Sequence, residues 1–186
     1  MDNGVSAVDD VRLRRNGALM MSVFAFFWAV GPPPVDGAAR TVTLVVSVAL
    51  TAVTVGLALR PRGGGTLDLV GDWQLRYNRV ALVEFGAIAV VVLVLVVTGQ
   101  QQLIAPLVCL VVGLHFFPLA TLFRQPLYRW TGIALTVVGL LAVVVAMTAG
   151  GDKGRQVAGF GAAGALWLTS FGVSLGAGRP APVPAG

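Results

Sequence analysis

Two side chains within the long apolar stretches of the sequence can exchange a proton near neutral pH. They are Glu84, five residues after Arg79, and His115, in G-L-H-F-F-P-L-A from Gly113 to Ala120. A carboxylate and an imidazole are the groups from which proton relays are built. Burying a charged group in hydrocarbon costs on the order of 2.5–3.5 kcal/mol even on permissive insertion scales for Asp or a basic residue. Such groups therefore face a bundle interior or a wet cavity, and a functional site is the default reading. Pro118 adds to it, because a proline cannot donate to the carbonyl of Leu114 and leaves that acceptor bare beside His115. Glu84, His115, Leu114 and Pro118 thus form the candidate polar pocket. The plainer alternative has Glu84 snorkelling or protonated near the interface and His115 satisfied by an inter-helix hydrogen bond.

Both groups lie in the cytoplasmic half of the membrane, a depth that permits contact. At ~1.5 Å of rise per residue, Glu84 lies about 7–8 Å inward of Arg79 and His115 about 13–14 Å inward of Arg124. The run containing Glu84 and the run containing His115 are joined only by T-G-Q-Q-Q, Thr98 to Gln102. They should pack as an antiparallel hairpin, with a direct or water-bridged Glu84–His115 contact. Arg124, Tyr128 and Arg129 are candidates for an anionic-headgroup site or for the entrance to the pocket. No metal and no cofactor are expected: a single histidine, a single cysteine and one intramembrane carboxylate are not a recognised ligand set. No G-x-S-x-G or other nucleophile arrangement stands out. Cys109 lies mid-run and reads as a small core residue; alone, it excludes an internal disulfide.

The elements that must position these groups follow from composition. With 56% hydrophobic and 11% charged residues and a mean hydropathy of +0.86, the chain falls outside the range of soluble domains. Measured against a span of ~20 apolar residues, the runs are 17–32, 40–59, 79–98, 102–123, 129–149 and 156–177. The expected fold is all-α: a polytopic transmembrane bundle of about six spans over 17–177, after a cytoplasmic segment 1–16 and before a disordered cytoplasmic tail 178–186. The net charge of +5 does not indicate nucleic acid, because the basic residues cluster between apolar runs as topology signals. Arg12, Arg14, Arg15, Arg60, Arg62, Arg76, Arg79, Arg124, Arg129 and Arg179 fall on one side, against Arg40, Lys153 and Arg155 on the other. The positive-inside rule then places both termini in the cytoplasm and the protein in the plasma (inner) membrane. The first run can also be read as a cleaved signal peptide ending near Gly37-Ala38-Ala39.

Between the spans, 60–78 reads as an interfacial connector. Thr66 can cap a short helix that carries Trp73 and Tyr77 at headgroup level, with Asp72 one turn before Arg76. A substrate gate is the alternative reading. Gly172 and Gly176 form a G-x-x-x-G arrangement, and Gly161 precedes Ala165 by four; either an internal seam or a homo-oligomer face would use them. Trp167 falls mid-span, where its indole N–H needs a partner.

G-L-H-F-F-P-L-A, followed by L-F-R-Q-P-L-Y, and V-E-F after Arg79 resemble a bacterial family of small multi-helix membrane proteins without an assigned activity. The resemblance covers roughly 76–132. It implies a shared architecture and highlights Glu84, His115, Pro118, Arg124 and Tyr128, but no substrate. The Val, Ala and Gly usage is similar to that of a high-GC actinobacterium. Three functional classes follow. The first is a small proton-linked transporter or permease using the Glu84–His115 pair. The second is a membrane-embedded enzyme on a lipid or isoprenoid, with Arg124 and Arg129 holding an anionic headgroup. The third is an assembly subunit without chemistry. The partners expected are the bilayer and a lipid or small-molecule ligand.

Overall fold

The computed structural model describes residues 5–31, 37–60, 66–70 and 72–176. Among them are six α-helices: α1 (Asp10–Val30), α2 (Ala38–Ala58), α3 (Trp73–Val97), α4 (Ile104–Leu122), α5 (Pro126–Ala149) and α6 (Gly151–Ser174). The fold is an all-α bundle. A 3-10 turn, Gln101–Leu103, leads into α4, and two short strands, β1 (Val5–Asp9) and β2 (Thr66–Val70), pair antiparallel with Val5 opposite Val70. The expected tail 178–186 and residues 1–4 of the expected N-terminal segment lie outside the described residues.

Five helices, α2 to α6, are long and apolar enough to cross a membrane. The sixth expected span falls short for a legible reason: α1 begins at Asp10 and takes up Arg12, Arg14 and Arg15. Its apolar part, from Gly17 to Val30, is about 21 Å long at ~1.5 Å per residue, less than the ~30 Å of a hydrocarbon core. It is nevertheless a full member of the bundle, with Ala18, Met21, Ser22 and Ala25 buried. Cleavage near Ala39 would therefore remove part of the core.

The connector also differs from expectation. Thr66 begins a strand, not a helix, and α3 starts only at Trp73. The stretch T-L-D-L-V has β-branched residues at both ends and a partner within reach in Val5–Asp9, and a ladder of backbone bonds wins over an isolated five-residue helix. Asp72 and Arg76 are both exposed and are linked by the backbone bond from Arg76 N to Asp72 O, at 3.0 Å.

α6 is the hub. Half of its apolar window is buried, and it packs against α1, α5, α2 and α4. Polar side chains tie each seam. Ser22 Oγ lies 2.8 Å from Ser170 Oγ between α1 and α6, and Thr131 Oγ1 lies 2.6 Å from Thr169 Oγ1 between α5 and α6. Trp167 donates its indole N–H to Thr51 of α2 at 3.2 Å. Such interhelical bonds average roughly 0.6 kcal/mol in membranes. Close packing contributes the rest: Gly161 faces the Val138 side chain, and Gly154 lies against Ala146. Gly176, in contrast, lies beyond the end of α6 with φ +87°, so Gly172 and Gly176 do not form a continuous helical stripe.

The α3–α4 and α4–α5 turns set the register of the site. Gly99, with φ +72°, closes α3: its N–H bonds Val96 O, and that of Gln100 bonds Leu95 O. The end of α4 repeats the pattern with Arg124 at φ +47°, its N–H on Thr121 O and that of Gln125 on Ala120 O. Both are Schellman closures. Arg124 occupies the position where glycine is usual. Pro126 then opens α5 at the first helical position, where its missing N–H is harmless.

Candidate functional site

α3 is the outermost helix. Only 6% of its apolar window is buried, and its packing partners are α4 and the Gln101–Leu103 turn. Its α4-facing stripe runs Trp73, Tyr77, Val80, Glu84, with spacings of four, three and four; all four are half-buried, whereas Leu82, Val83 and Phe85 are exposed. That is the seam periodicity of two packed helices. The stripe therefore points Glu84 at α4 rather than at lipid.

His115 meets it there. Nδ1 of His115 lies 3.3 Å from Oε2 of Glu84, and the two side chains are 11% and 15% exposed. The approach has the distance of an ion pair without the alignment of a directed hydrogen bond, and among the described residues Nδ1 has no hydrogen-bond partner. The backbone of Val80, one turn before Glu84, lies against the same imidazole. The two ionisable groups thus share one contact at the α3–α4 seam.

An aromatic chain leads from the pair to the end of the bundle where α3 begins. His115 stands edge-on to Phe116, with centroids 6.2 Å apart, and Phe116 is edge-on to Tyr128 at 5.8 Å. Tyr128 meets Phe123 at 6.3 Å, and Phe123 meets Tyr77 at 6.0 Å and Trp73 at 6.5 Å. Such pairs contribute about 0.5–1.5 kcal/mol each beyond burial. Phe116, Phe123, Trp73 and Val80 were not site candidates from sequence. The signal that would have found the α3 members is the four-three-four spacing ending on Glu84.

The remaining candidates separate. Leu114 and Pro118 lie on the exposed side of α4, one turn apart, and the helix continues through Pro118 without a break. The lining expected of them therefore sits beside the Glu84–His115 contact, on the surface of α4. Tyr128 is buried, at 8% exposure, with Arg14 and Tyr77 as its titratable neighbours and its hydroxyl tight against Gly17. It belongs to the α1–α4–α5 packing rather than to an open entrance. Arg124 and Arg129 are exposed at that end of the bundle. Cys109 is fully buried and donates to Leu135 O at 3.4 Å. Among the described residues no group of three His, Cys, Asp or Glu side chains could hold a metal ion. A shallow depression at the opposite end, lined by Gln102, Gly151, Asp152, Lys153 and Arg155, holds the Asp152–Arg155 ion pair.

No protein-family model matches the chain, and no curated protein or solved structure matches it.

Proposed function

We propose that the protein is a small proton-linked transporter of the bacterial plasma membrane, in which Glu84 and His115 hold and exchange a proton at the α3–α4 seam. The supporting observation is the 3.3 Å approach of Nδ1 to Oε2 on a helix that packs on the bundle through α4 and the turn between them. One proton can rest on the carboxyl or on the imidazole, and water reaching either side decides which. A modest shift of α3 against α4 would part the pair without opening the α1–α6–α5–α4 core. This is the kind of element alternating access requires. An enzyme on a lipid fits less well, because Tyr128 is buried and is not presented with the exposed Arg124 and Arg129 to a headgroup.

Proton binding inside the membrane moves charge. A pH jump applied to proteoliposomes on a solid-supported membrane is expected to evoke a transient current that Glu84→Gln abolishes and His115→Ala strongly reduces. A current of undiminished size in Glu84→Gln would refute the proposal.

The arginine distribution supports an orientation with the α3 start and the α4–α5 turn in the cytoplasm. Single cysteines at Arg129 and at Gln100 should react with a membrane-impermeant maleimide only from inside and only from outside the cell, respectively. Labelling of Arg129→Cys in intact cells would reverse the assignment.

A further inference from the structure

We propose that the β1–β2 sheet is a clasp that ties the start of α3 to α1, so that Glu84 and His115 part only when the two strands separate. This deepens the proton-exchange reading above, on which the role of the parting rests, by naming the element that governs it.

Packing pins α3 at one end. Leu95 is the one buried residue of α3 among the described residues, and the Gly99 closure and the Gln101–Leu103 turn follow it. Towards its start the stripe from Trp73 to Glu84 is only half-buried, with the rings of Trp73 and Tyr77 against Phe123. A helix held in this way swings about its Gly99 end.

The sheet restrains the swing. β1 runs straight into α1 at Asp10, and α1 is fixed in the core by the enclosed Ala18, Ser22 and Ala25. β2 ends at Val70, and the Asp72 carbonyl already accepts from Arg76 N at 3.0 Å, so one residue joins the strand to the helix. All five positions of the strands pair, from Val5 with Val70 to Asp9 with Thr66. The ladder thus ties together two helices whose packing partners differ, α6 and α2 for α1 and α4 for α3.

The lengths match. At ~1.5 Å per residue, Glu84 lies about 22 Å and Trp73 about 39 Å from Gly99 along α3. Opening the Glu84–His115 contact by ~3 Å, room for a bridging water, therefore carries Trp73 about 5 Å outward. That equals the ~4.8 Å spacing of paired strands, so the swing must draw β2 off β1. A lone two-stranded ribbon is only marginally stable in water, which lets such a clasp open and close.

Pulsed electron resonance between spin labels on Arg76→Cys and Arg129→Cys, both exposed, measures the distance from the start of α3 to α5 in the purified full chain; Cys109 is buried. Ser6→Pro/Ala7→Pro breaks the clasp outside α1, because successive strand N–H groups alternate in direction and one of the two must face β2. With the clasp intact a single distance is expected, and the proline variant should add a population longer by about 5 Å. Labels on Arg129→Cys and Leu175→Cys, across α5 and α6, should not move. An unchanged Arg76–Arg129 distance, or a change in both pairs, would overturn the proposal. Ala7 and Asp68 are partners across the ladder, so an Ala7→Cys/Asp68→Cys disulfide in the unlabelled chain locks the strands. It should suppress the Glu84-dependent pH-jump current, and reduction should restore it. Full current in the oxidised form would also overturn the proposal. No current even in wild type, with the distance change intact, would remove proton exchange and leave the clasp.

Discussion

Gly139→Leu is expected to prevent assembly of the bundle. A Cβ at position 139 would lie 2.8 Å from the Leu110 nitrogen and 3.0 Å from its Cα, and these are backbone atoms that cannot turn aside. Two further glycines hold the same seam. A Cβ at Gly113 would meet the Thr136 nitrogen at 2.7 Å, and one at Gly132 the Gly113 carbonyl oxygen at 2.9 Å. α4 and α5 thus approach backbone to backbone along about two turns, and hydrocarbon supplies no hydrophobic force to hold a wider seam together. Overpacking commonly costs roughly 1–3 kcal/mol and more where the backbone must move. The result should be loss of monodisperse protein on size exclusion, or a large fall in the thermal midpoint. Gly86→Ala in α3 is the control: nothing lies within 4 Å of the added Cβ, and removing a helical glycine stabilises by roughly 0.5–1 kcal/mol. A Gly139→Leu variant as stable as Gly86→Ala would mean that α4 and α5 are not so close.

The spans were legible in the sequence because a bilayer imposes one length and one composition: the end of α3 and both ends of α4 and α5 fall within three residues of the apolar runs, while α3 starts six residues before its run. α1 misled because its apolar run suggested a span, while its helix continues back through three arginines that hydropathy counts against it. β2 was hidden because T-L-D-L-V carries weak helical and strand signals together, and its strand partner lies some sixty residues earlier, beyond any local window. The meeting of Glu84 and His115 followed from similar depth and a short turn, which are local quantities. The surroundings of the pair did not. Whether Pro118 or Phe116 is turned towards the bundle depends on the rotation of α4 about its axis, and that is set by the glycine seam with α5, a long-range property. The same rotation leaves Leu114 exposed, while the packing of α5 against α1 buries Tyr128.

The account stands or falls on Glu84 and His115 acting as one unit, and a double-mutant cycle on unfolding stability measures this most directly. Each side chain is mostly enclosed and has the other as an ionisable neighbour across the seam, so Glu84→Gln or His115→Ala leaves the survivor without its ionisable partner. Breaking such a buried pair by removing one member costs about 3–5 kcal/mol when the survivor remains charged, and less when it can be neutral. Removing both takes away the orphan. Each single variant is therefore expected to unfold at clearly lower denaturant than wild type. The double variant should be no less stable than the worse single one, with a coupling energy of about 0.5–3 kcal/mol. Additive losses, within about 0.3–0.5 kcal/mol, would show that the two groups do not interact and would contradict the account.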